Sequence, residues 1–281
     1  MRHLAVIGAP LEHSLSPLIH NAALRQLDLD DTYTYTKMRI ERHELPDVVN
    51  MVRRGSLWGI NVTYPYKQDI IPYLDEMTDE ARRSEAVNTV YARDGRVTGH
   101  NTDGIGGVMA LNRNGVDLED TRVVIIGAGG AARALAVSLV TRPIARLVIR
   151  NRTAKRAQDL AEHVRPFATC DVEAGGLDGL KELLQDTDIL IQCSLAGMQG
   201  TDAPPLPITQ DMFNAHQTVM DIVYTPLVTP LLVEARAAGC LTIVGTEMLI
   251  CQGAEAFRIW TGTDAPIETM DAAVRGWIGG G

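Results

Sequence analysis

Aromatic side chains are scarce in this chain of 281 residues: they make up 5% of it, although 46% of the residues are hydrophobic. The apolar content is therefore mostly aliphatic, and part of it forms continuous runs such as Val123–Ile126. Such runs are typical of strands that are covered on both faces, as in parallel sheets. The high apolar fraction excludes an intrinsically disordered chain. We expect a globular α/β protein with one large domain or two smaller ones.

Cysteine is also rare, and no apolar run approaches the roughly 18 residues needed to cross a membrane. Cys170, Cys193, Cys240 and Cys251 have no C-x-x-C spacing and no nearby histidine partner. This argues against a disulfide framework or a zinc site and predicts small buried residues in a reducing compartment. The run Leu4–Leu11 lacks a signal-peptide cleavage pattern and is predicted to be a strand. We therefore expect a cytoplasmic protein without a bound metal.

Acidic residues outnumber basic ones, 35 to 26, which gives a net charge of −9. An acidic chain is not expected to bind nucleic acid or a membrane surface. One segment departs from this balance, because Thr121–Gln158 contains no Asp or Glu. Its basic residues are Arg122, Arg133, Arg142, Arg146, Arg150, Arg152, Lys155 and Arg156. Solvated helix faces would explain most of these side chains.

Strand-like and helix-like segments alternate along the chain, as in β-α-β units with parallel sheets. The predicted strands are Leu4–Ala9, Tyr33–Ile40, Trp58–Thr63, Arg122–Ile126, Arg146–Ile149, Ile189–Cys193, Val219–Val223 and Leu241–Val244, with a hairpin of Ala86–Ala92 and Arg96–His100. The predicted helices are Pro17–Leu27, His43–Arg54, Asp103–Asn114, Ala131–Leu139, Ala154–Val164, Glu247–Trp260 and Ile267–Ile278. The sheet pattern ends and begins again across Asp103–Asp120, which predicts a domain boundary there.

A glycine-rich turn follows the predicted strand that ends at Ile126. Its residues are Gly127, Ala128, Gly129, Gly130, Ala131 and Ala132. The spacing fits the pattern G-x-G-x-x-A of dinucleotide-binding units: Gly127 permits a tight turn, Gly129 lets the backbone approach a pyrophosphate, and Ala132 keeps the helix close to the sheet. Free N–H groups at the helix start would bind the phosphates. The alternative is a purely structural glycine turn.

The end of the following strand indicates which dinucleotide binds. An NAD site usually has an Asp or Glu here for the ribose 2′-hydroxyl, but this chain offers no carboxylate. It has Asn151, Arg152 and Thr153, followed by Lys155 and Arg156. A guanidinium can bind a 2′-phosphate through two parallel hydrogen bonds, so the segment favours NADP. The structural alternative makes Arg152 a solvated arginine and Thr153 the N-cap of the next helix.

Four polar segments lie at predicted strand and helix ends in the first domain, where ligands bind in α/β proteins. They are Ser14–Pro17, Asn61–Lys67, Ala86–Thr89 and Asn101–Gly104. Each also has a structural explanation, because Ser16 and Asp103 fit helix N-caps and Lys67 fits a surface lysine.

Together with the glycine turn, these segments resemble the shikimate dehydrogenase family. The motifs are S-x-S-P at Ser14–Pro17, N-V-T-x-P-[FY]-K at Asn61–Lys67, A-V-N-T at Ala86–Thr89, N-T-D-G at Asn101–Gly104, G-A-G-G-A-[AS]-R at Gly127–Arg133 and N-R-T at Asn151–Thr153. The similarity continues through Asp221–Tyr224 and Met248–Gln252. It implies NADPH-dependent reduction of 3-dehydroshikimate to shikimate, on the route to aromatic amino acids.

The resemblance also implies roles for single residues. Lys67 and Asp103 would be the catalytic pair that gives and takes the proton accompanying hydride transfer. Ser14 and Ser16, with Tyr224, would bind the substrate carboxylate. The ring hydroxyls and the keto group would be bound by Asn61, Thr63, Asn88, Asp103 and Gln252. NADP would be held by Gly127, Ala128, Gly129, Gly130, Ala131, Asn151, Arg152 and Thr153, with Gly245 near the nicotinamide.

The expected fold class is α/β with two domains, an N-terminal α/β substrate domain and a Rossmann-type NADP-binding domain, with the active-site cleft between them. Residues 1–102, completed by C-terminal helices within 246–281, would bind substrate, and residues 103–245 would bind NADP. We expect a monomer or a homodimer that binds shikimate or 3-dehydroshikimate, and neither nucleic acid nor a membrane.

Two positions depart from the family pattern most clearly. Glu85 stands where a glycine commonly precedes A-V-N-T, and Glu247 replaces the usual glycine before Met248. Two alternatives to the main hypothesis stay open: a relative of broader specificity that also oxidises quinate, and a non-catalytic NADP- or metabolite-sensing protein of the same fold. The presence of both Lys67 and Asp103 argues against the sensor, because a sensor needs no proton-transfer pair.

Overall fold

The computed structural model describes residues 1–279 and divides into two compact units. One unit comprises Met1–Gly106 and the chain from Leu249 onward, and the other comprises Gly107–Met248. Residues 280 and 281, which belong to the predicted substrate domain, lie outside the described residues. Each unit is built on its own six-stranded sheet.

The first unit contains a mixed sheet. Its strands are β1 (Arg2–Gly8), β2 (Tyr33–Arg39), β3 (Gly59–Val62), β4 (Glu76–Met77), β5 (Thr89–Arg93) and β6 (Arg96–His100). They lie in the order β2-β1-β3-β5-β6-β4, with β1 parallel to both of its neighbours. The predicted hairpin is confirmed: β5 and β6 pair antiparallel across a turn in which Asp94 and Gly95 both have positive φ.

The second unit contains a wholly parallel sheet. Its strands are β7 (Arg122–Ile126), β8 (Arg146–Arg150), β9 (Asp171–Gly175), β10 (Ile189–Gln192), β11 (Thr218–Asp221) and β12 (Leu241–Ile243). They lie in the order β9-β8-β7-β10-β11-β12. This is the strand order of the Rossmann fold, whose topological switch point lies between β7 and β10. The predicted α/β class with a Rossmann-type domain is confirmed.

Helices connect most of the parallel strands, as parallel pairing requires. Within residues 1–279 they are α1 (Ser16–Gln26), α2 (Leu45–Arg53), α3 (Asp79–Ser84), α4 (Asp103–Arg113), α5 (Gly130–Val140), α6 (Ala154–Val164), α7 (Leu180–Gln185), α8 (Pro230–Ala237), α9 (Gly245–Thr261) and α10 (Ile267–Gly279). The aliphatic run Val123–Ile126 forms most of β7 and is at most 1% exposed at every residue. Burial on both faces explains why this strand has no polar alternation.

Sequence patterns placed the long elements better than the short ones. The predicted helix His43–Arg54 is interrupted, because Arg42–Glu44 form a 3₁₀ turn and α2 begins only at Leu45. Pro46 follows, and its fixed φ and missing N–H suit the first turn of a helix. β4, β9, α3, α7 and α8 were missed; they have two to eight residues each, too few for a clear hydrophobic period.

Candidate functional site

The two serines of the first unit lie at the start of α1. Ser14 Oγ lies 3.3 Å from Ser16 Oγ, and the Ser16 N–H donates to Ser14 Oγ at 3.4 Å. The prediction that Ser16 is an N-cap is wrong: Ser16 is the first helical residue, and the N–H groups of Leu18 and Ile19 that it would cap donate to the Leu15 carbonyl. The hydroxyls of Ser14 and Ser16 are therefore not used to begin the helix.

Lys67 and Asp103 form a close ion pair through the lysine Nζ and the aspartate Oδ2. Lys67 lies on the loop after β3, and its carbonyl oxygen accepts from the Val87 N–H at 2.8 Å. Asp103 is the first residue of α4, and Asn101 Oδ1 accepts from its N–H at 2.9 Å. The lysine side chain is 20% exposed and the aspartate side chain 6%, so the pair is largely shielded from water and the lysine is its more accessible member.

Asn88 connects the acid–base pair to its surroundings. Its Nδ2 donates to Asp103 Oδ1 and to Thr102 Oγ1, each at 2.9 Å. Its Oδ1 accepts from the Thr102 N–H at 2.8 Å and from Thr89 Oγ1 at 3.0 Å. All four of these residues are buried. Because the Thr102 N–H can only donate, Oδ1 of Asn88 must face Thr102 N–H, and Nδ2 must face Asp103. Sequence motifs contained Thr89 and Thr102, but their chemical role was not anticipated.

Gln252 reaches this cluster from α9. Its Oε1 accepts from Asn88 Nδ2 at 3.3 Å, and its own Nε2 donates to the Leu249 carbonyl at 2.8 Å. The contact depends on Gly106 in the first turn of α4, because a Cβ there would lie 2.6 Å from the Gln252 Cβ. The structure therefore brings together Lys67, Asp103, Asn88 and Gln252.

Asn61, at the end of β3, joins the same network through Asn88. Its Nδ2 donates to the Asn88 carbonyl at 3.0 Å, and its Oδ1 accepts from the hydroxyl of Tyr35 at 2.6 Å. Tyr35 was not anticipated from the sequence. Thr63 lies apart from these bonds: its N–H donates to the Ile7 carbonyl at 2.9 Å and its methyl group packs against Gly8.

The glycine turn in the second unit has the geometry that a dinucleotide pyrophosphate requires. Gly127 has φ of 129°, and a Cβ there would lie 2.9 Å from the Cys193 carbonyl group, so no other residue fits. A Cβ at Gly129, by contrast, would meet nothing within 4 Å, which leaves open space beside the backbone. Helix α5 begins at the next residue, and Ala132 in its first turn is fully buried. The turn thus presents free helix N–H groups next to an open space.

Asn151 and Thr153 shape the loop after β8. Asn151 Nδ2 donates to the Thr153 carbonyl at 3.0 Å, and the Asn151 N–H donates to the Gly175 carbonyl at 3.2 Å. Thr153 precedes α6, but its hydroxyl accepts no capping hydrogen bond, so the N-cap alternative is not supported by the geometry. The exposed hydroxyl is available to a ligand instead.

Arg152 is exposed on this loop and has no ion-pair partner in the described part of the chain. Lys155 differs, because its ammonium group pairs with Asp159 at 2.6 Å, one residue beyond the acid-free segment. Of the two cations Arg152 and Lys155, it is therefore the Arg152 guanidinium that is available to bind an anion.

Other basic residues of the acid-free segment are neutralised by acids from distant positions. Asp188 accepts from Arg122 Nε at 2.9 Å, and Asp186 accepts from Arg146 at 2.8 Å. Arg122 and Arg146 begin β7 and β8, whereas the glycine turn and Arg152 follow the ends of these strands. The charge of the segment is thus divided between structural ion pairs and the loop at the carboxyl ends of the strands.

Tyr224 and Gly245 also lie in the second unit. Tyr224 belongs to the loop after β11, and burial raises the pKa of its phenol. The buried carboxylate of Asp221 holds this loop, since it accepts from the Val223 N–H at 2.9 Å and from the Thr229 hydroxyl at 2.7 Å. A Cβ at Gly245, the first residue of α9, would lie 2.6 Å from the Val223 carbonyl oxygen. That position therefore requires glycine.

Residues 1–279 contain no group of three or more His, Cys, Asp or Glu side chains placed to hold a metal ion. In the same part of the chain, no helix has the length and apolar character needed to cross a membrane. The four cysteines are not joined in disulfides.

Family models of shikimate dehydrogenases match three parts of the chain. The substrate-binding domain matches residues 6–90, shikimate/quinate 5-dehydrogenase matches residues 109–215, and the shikimate 5′-dehydrogenase C-terminal domain matches residues 245–275. The shikimate dehydrogenase (NADP+) of Methanocella arvoryzae is 42% identical over 270 residues, which cover 96% of this chain and 97% of that one. The chain belongs to the shikimate dehydrogenase family.

Solved structures extend the similarity to shikimate dehydrogenases over nearly the whole chain. Shikimate 5-dehydrogenase from Thermus thermophilus, in complex with NADP(H) and shikimate, has a TM-score of 0.86 at 36% identity, covering 98% of this chain and 99% of that one. Quinate dehydrogenase from Corynebacterium glutamicum, in complex with NAD, has a TM-score of 0.88 at 30% identity, with the same coverage. Because one fold serves both enzymes, the fold alone does not distinguish NADP from NAD or shikimate from quinate.

The two departures from the shikimate dehydrogenase pattern have different structural settings. Glu85 ends α3 with left-handed backbone angles, φ 47° and ψ 36°, a conformation that favours glycine. Glu247 lies half-buried in the first turn of α9, and its N–H donates to the Val244 carbonyl at 3.1 Å. A carboxylate in the first turn of a helix is favourable for the helix itself.

Proposed function

We propose that this protein is an NADP-dependent shikimate dehydrogenase that interconverts 3-dehydroshikimate and shikimate. The observation that carries the proposal is the shielded ion pair of Lys67 and Asp103, to which the side chain of Asn88 is hydrogen-bonded. A proton donor, its counter-ion and orienting amides are what the reduction of a ketone requires from the protein. We propose the two domains with the boundaries expected from the sequence, 1–102 with 246–281 and 103–245.

Lys67 is the group that moves the proton. In the direction of reduction, its ammonium donates a proton to the oxygen on which negative charge develops; in the reverse direction, its amine takes the proton from the alcohol. Asp103 holds the ammonium group in place through Oδ2, while Asn88 occupies Oδ1. The two hydrogen bonds fix the orientation of the Asp103 carboxylate, and the carboxylate in turn holds the lysine ammonium close to the site of reaction.

Substrate binding is assigned to hydrogen-bonding groups, as suits a small acid with several hydroxyls. We propose that the hydroxyls of Ser14 and Ser16, with Tyr224, bind the carboxylate. Asn61, Thr63, Asn88, Asp103 and Gln252 would bind the ring hydroxyls and the keto group. Most of these side chains are buried and already share hydrogen bonds, so a ligand that matches them meets a pre-arranged site.

The nucleotide loop fits NADP. The open space at Gly129, the N-terminus of α5 and the unpaired cation of Arg152 offer groups for a pyrophosphate and for a 2′-phosphate. NADPH, when bound, supplies the hydride for the reduction. The residues that would hold it are Gly127, Ala128, Gly129, Gly130, Ala131, Asn151, Arg152 and Thr153, with Gly245 near the nicotinamide. No carboxylate stands among them to favour NAD.

We propose a cytoplasmic enzyme, monomeric or homodimeric, that binds neither nucleic acid nor a membrane. Four cysteines without a disulfide suit a reducing compartment. The net charge of −9 disfavours binding to nucleic acid or to an anionic membrane surface.

The test is an assay of NADPH or NADH absorbance that crosses shikimate and quinate with NADP and NAD. We expect kcat/KM to be highest for shikimate with NADP. Faster turnover of quinate than of shikimate, or faster turnover with NAD than with NADP, would contradict the proposal and support an enzyme of broader specificity. Binding of NADP without turnover of either substrate would favour the sensor.

A further inference from the structure

Tyr35 lies on β2 and reaches the candidate substrate site with its hydroxyl. The residue is 2% exposed, and its hydroxyl donates to Asn61 Oδ1 at 2.6 Å. Burial raises the pKa of the phenol well above its usual value, with a smaller opposing effect of the Ser16 hydroxyl. The phenol therefore keeps its proton, and its role towards Asn61 is that of a donor.

Two consecutive residues of α1 hold Tyr35 in place. The side-chain amide of Asn21 donates to the Tyr35 carbonyl at 2.9 Å and accepts from the Tyr35 N–H at 3.1 Å. The ring of His20 stacks on the ring of Tyr35 with the centroids 4.2 Å apart and the planes at 9°. His20 is completely buried, which lowers its pKa to about 3, so the ring is uncharged at neutral pH. Backbone and ring of Tyr35 are thus both restrained.

The hydrogen bonds of Asn61 fix the orientation of its side-chain amide. Its two Nδ2 protons go to the Asn88 carbonyl at 3.0 Å and to Thr89 Oγ1 at 3.2 Å. A carbonyl oxygen can only accept, so the amide nitrogen must face Asn88 and Oδ1 must face Tyr35. The Tyr35 hydroxyl occupies one of the two lone pairs of Oδ1. The buried ring of His20 also interacts with the Asn61 side chain, and this interaction opposes the effect of burial on the His20 pKa.

We propose that Tyr35 is a positioning residue, which holds the side-chain oxygen of Asn61 in place as an acceptor towards the substrate and thereby selects a ring hydroxyl that donates a hydrogen bond. The identity of the substrate rests on the proposed function. A keto oxygen has no proton to give and would be repelled at this position. The keto group must therefore bind elsewhere in the site, which suits the proton donor Lys67.

The variant Tyr35→Phe tests the proposal, because it removes only the hydroxyl. Asn61 Oδ1 then loses its buried donor and its fixed orientation. We expect KM for shikimate to rise about tenfold, while kcat changes less than about threefold, since Lys67 and Asp103 are untouched. KM for NADP should be unchanged.

Tyr66→Phe is the matched control. The Tyr66 hydroxyl is buried in the same unit and donates at 2.9 Å to the carbonyl of Ile40, a residue outside the polar motifs. Both variants should lose similar thermal stability, but only Tyr35→Phe should change KM for shikimate. Equal changes in KM for the two variants, or a fall in kcat at constant KM, would overturn the proposal.

Hydrogen exchange of the Asn61 side chain in the wild-type protein gives a second measurement, which does not depend on folding of the variants. Both Nδ2 protons should exchange slowly, with and without shikimate, and rapid exchange would overturn the proposal. If the wild-type protein does not turn over shikimate, the proposed function fails, and the exchange experiment still shows whether both amide protons of Asn61 are protected by hydrogen bonds.

Discussion

The burial of Asp221 determines the direction in which pH changes the stability of the folded protein. The residue ends β11, is completely buried and holds the loop of Tyr224 through Val223 and Thr229. Burial raises the pKa of its carboxyl to about 6, against the hydrogen bonds from Thr229 and Val223, which lower it. In the unfolded chain the value should be about 3.9.

The folded state of the protein therefore binds this proton more tightly than the unfolded state does. Between about pH 4 and pH 6 the contribution of Asp221 to the free energy of unfolding falls as the pH rises. The pKa in the folded state exceeds that in the unfolded state by about 2, and each pKa unit corresponds to about 1.4 kcal/mol. Above that pH window, the ionised carboxylate therefore lowers the free energy of unfolding by about 3 kcal/mol. Asp221→Asn removes the ionisation and keeps an acceptor for the Val223 N–H. Its amide must donate to Thr229, whose own hydroxyl proton then loses its acceptor, at a cost of about 1 kcal/mol.

We expect Asp221→Asn to unfold with a free energy about 2 kcal/mol higher than the wild type at about pH 8, and with no advantage at about pH 4. Urea unfolding at the two pH values measures the difference. Asp188→Asn is a control of opposite sign, because the Arg122 guanidinium lowers the pKa of the Asp188 carboxyl. That variant should lose stability at the higher pH. Equal destabilisation by Asp221→Asn at both pH values would refute the argument from burial.

Three further substitutions test the acid–base pair, the cofactor loop and the strained turn. Lys67→Ala should lower kcat by roughly two to four orders of magnitude with little change in KM for shikimate, and near-normal turnover would remove Lys67 from its role. Arg152→Ala should raise KM for NADP far more than KM for NAD, and equal effects would contradict the 2′-phosphate assignment. Glu85→Gly should raise the free energy of unfolding in urea by about 1 kcal/mol, because the left-handed backbone at φ 47° suits glycine; a decrease would show that the glutamate side chain is worth more than the strain.

Elements with a strong hydrophobic pattern were predictable from the sequence. The bounds of β7 and α6 agree with the prediction at both ends, because an aliphatic run and a regular helical period define them. β9 was missed, since its sequence DVEAG has two acids and a glycine and its residues are at best half-buried. The same holds for α7, whose six residues make less than two turns.

The candidate site was predictable where a motif marks it and not where the fold assembles it. Lys67, Asp103 and Asn88 lie in polar motifs at strand and helix ends. Tyr35 lies in an alternating strand, where an aromatic residue is typical of a core, and its partner Asn61 is 26 positions away. The sequence indicates only that the hydroxyl of Tyr35, if buried, needs a hydrogen-bond partner. It does not indicate that the partner is Asn61.

The contact of Asn21 with Tyr35 has a consequence for self-association. β2 is an edge strand of its sheet, and an edge strand exposes backbone groups with which a strand of another molecule can pair. At Tyr35 both outward groups are already occupied by the Asn21 amide. A second copy that added a strand along β2 would have to displace that amide at the third residue of the strand. Asn21, which restrains Tyr35, therefore also protects the β2 edge of the sheet against edge-to-edge aggregation.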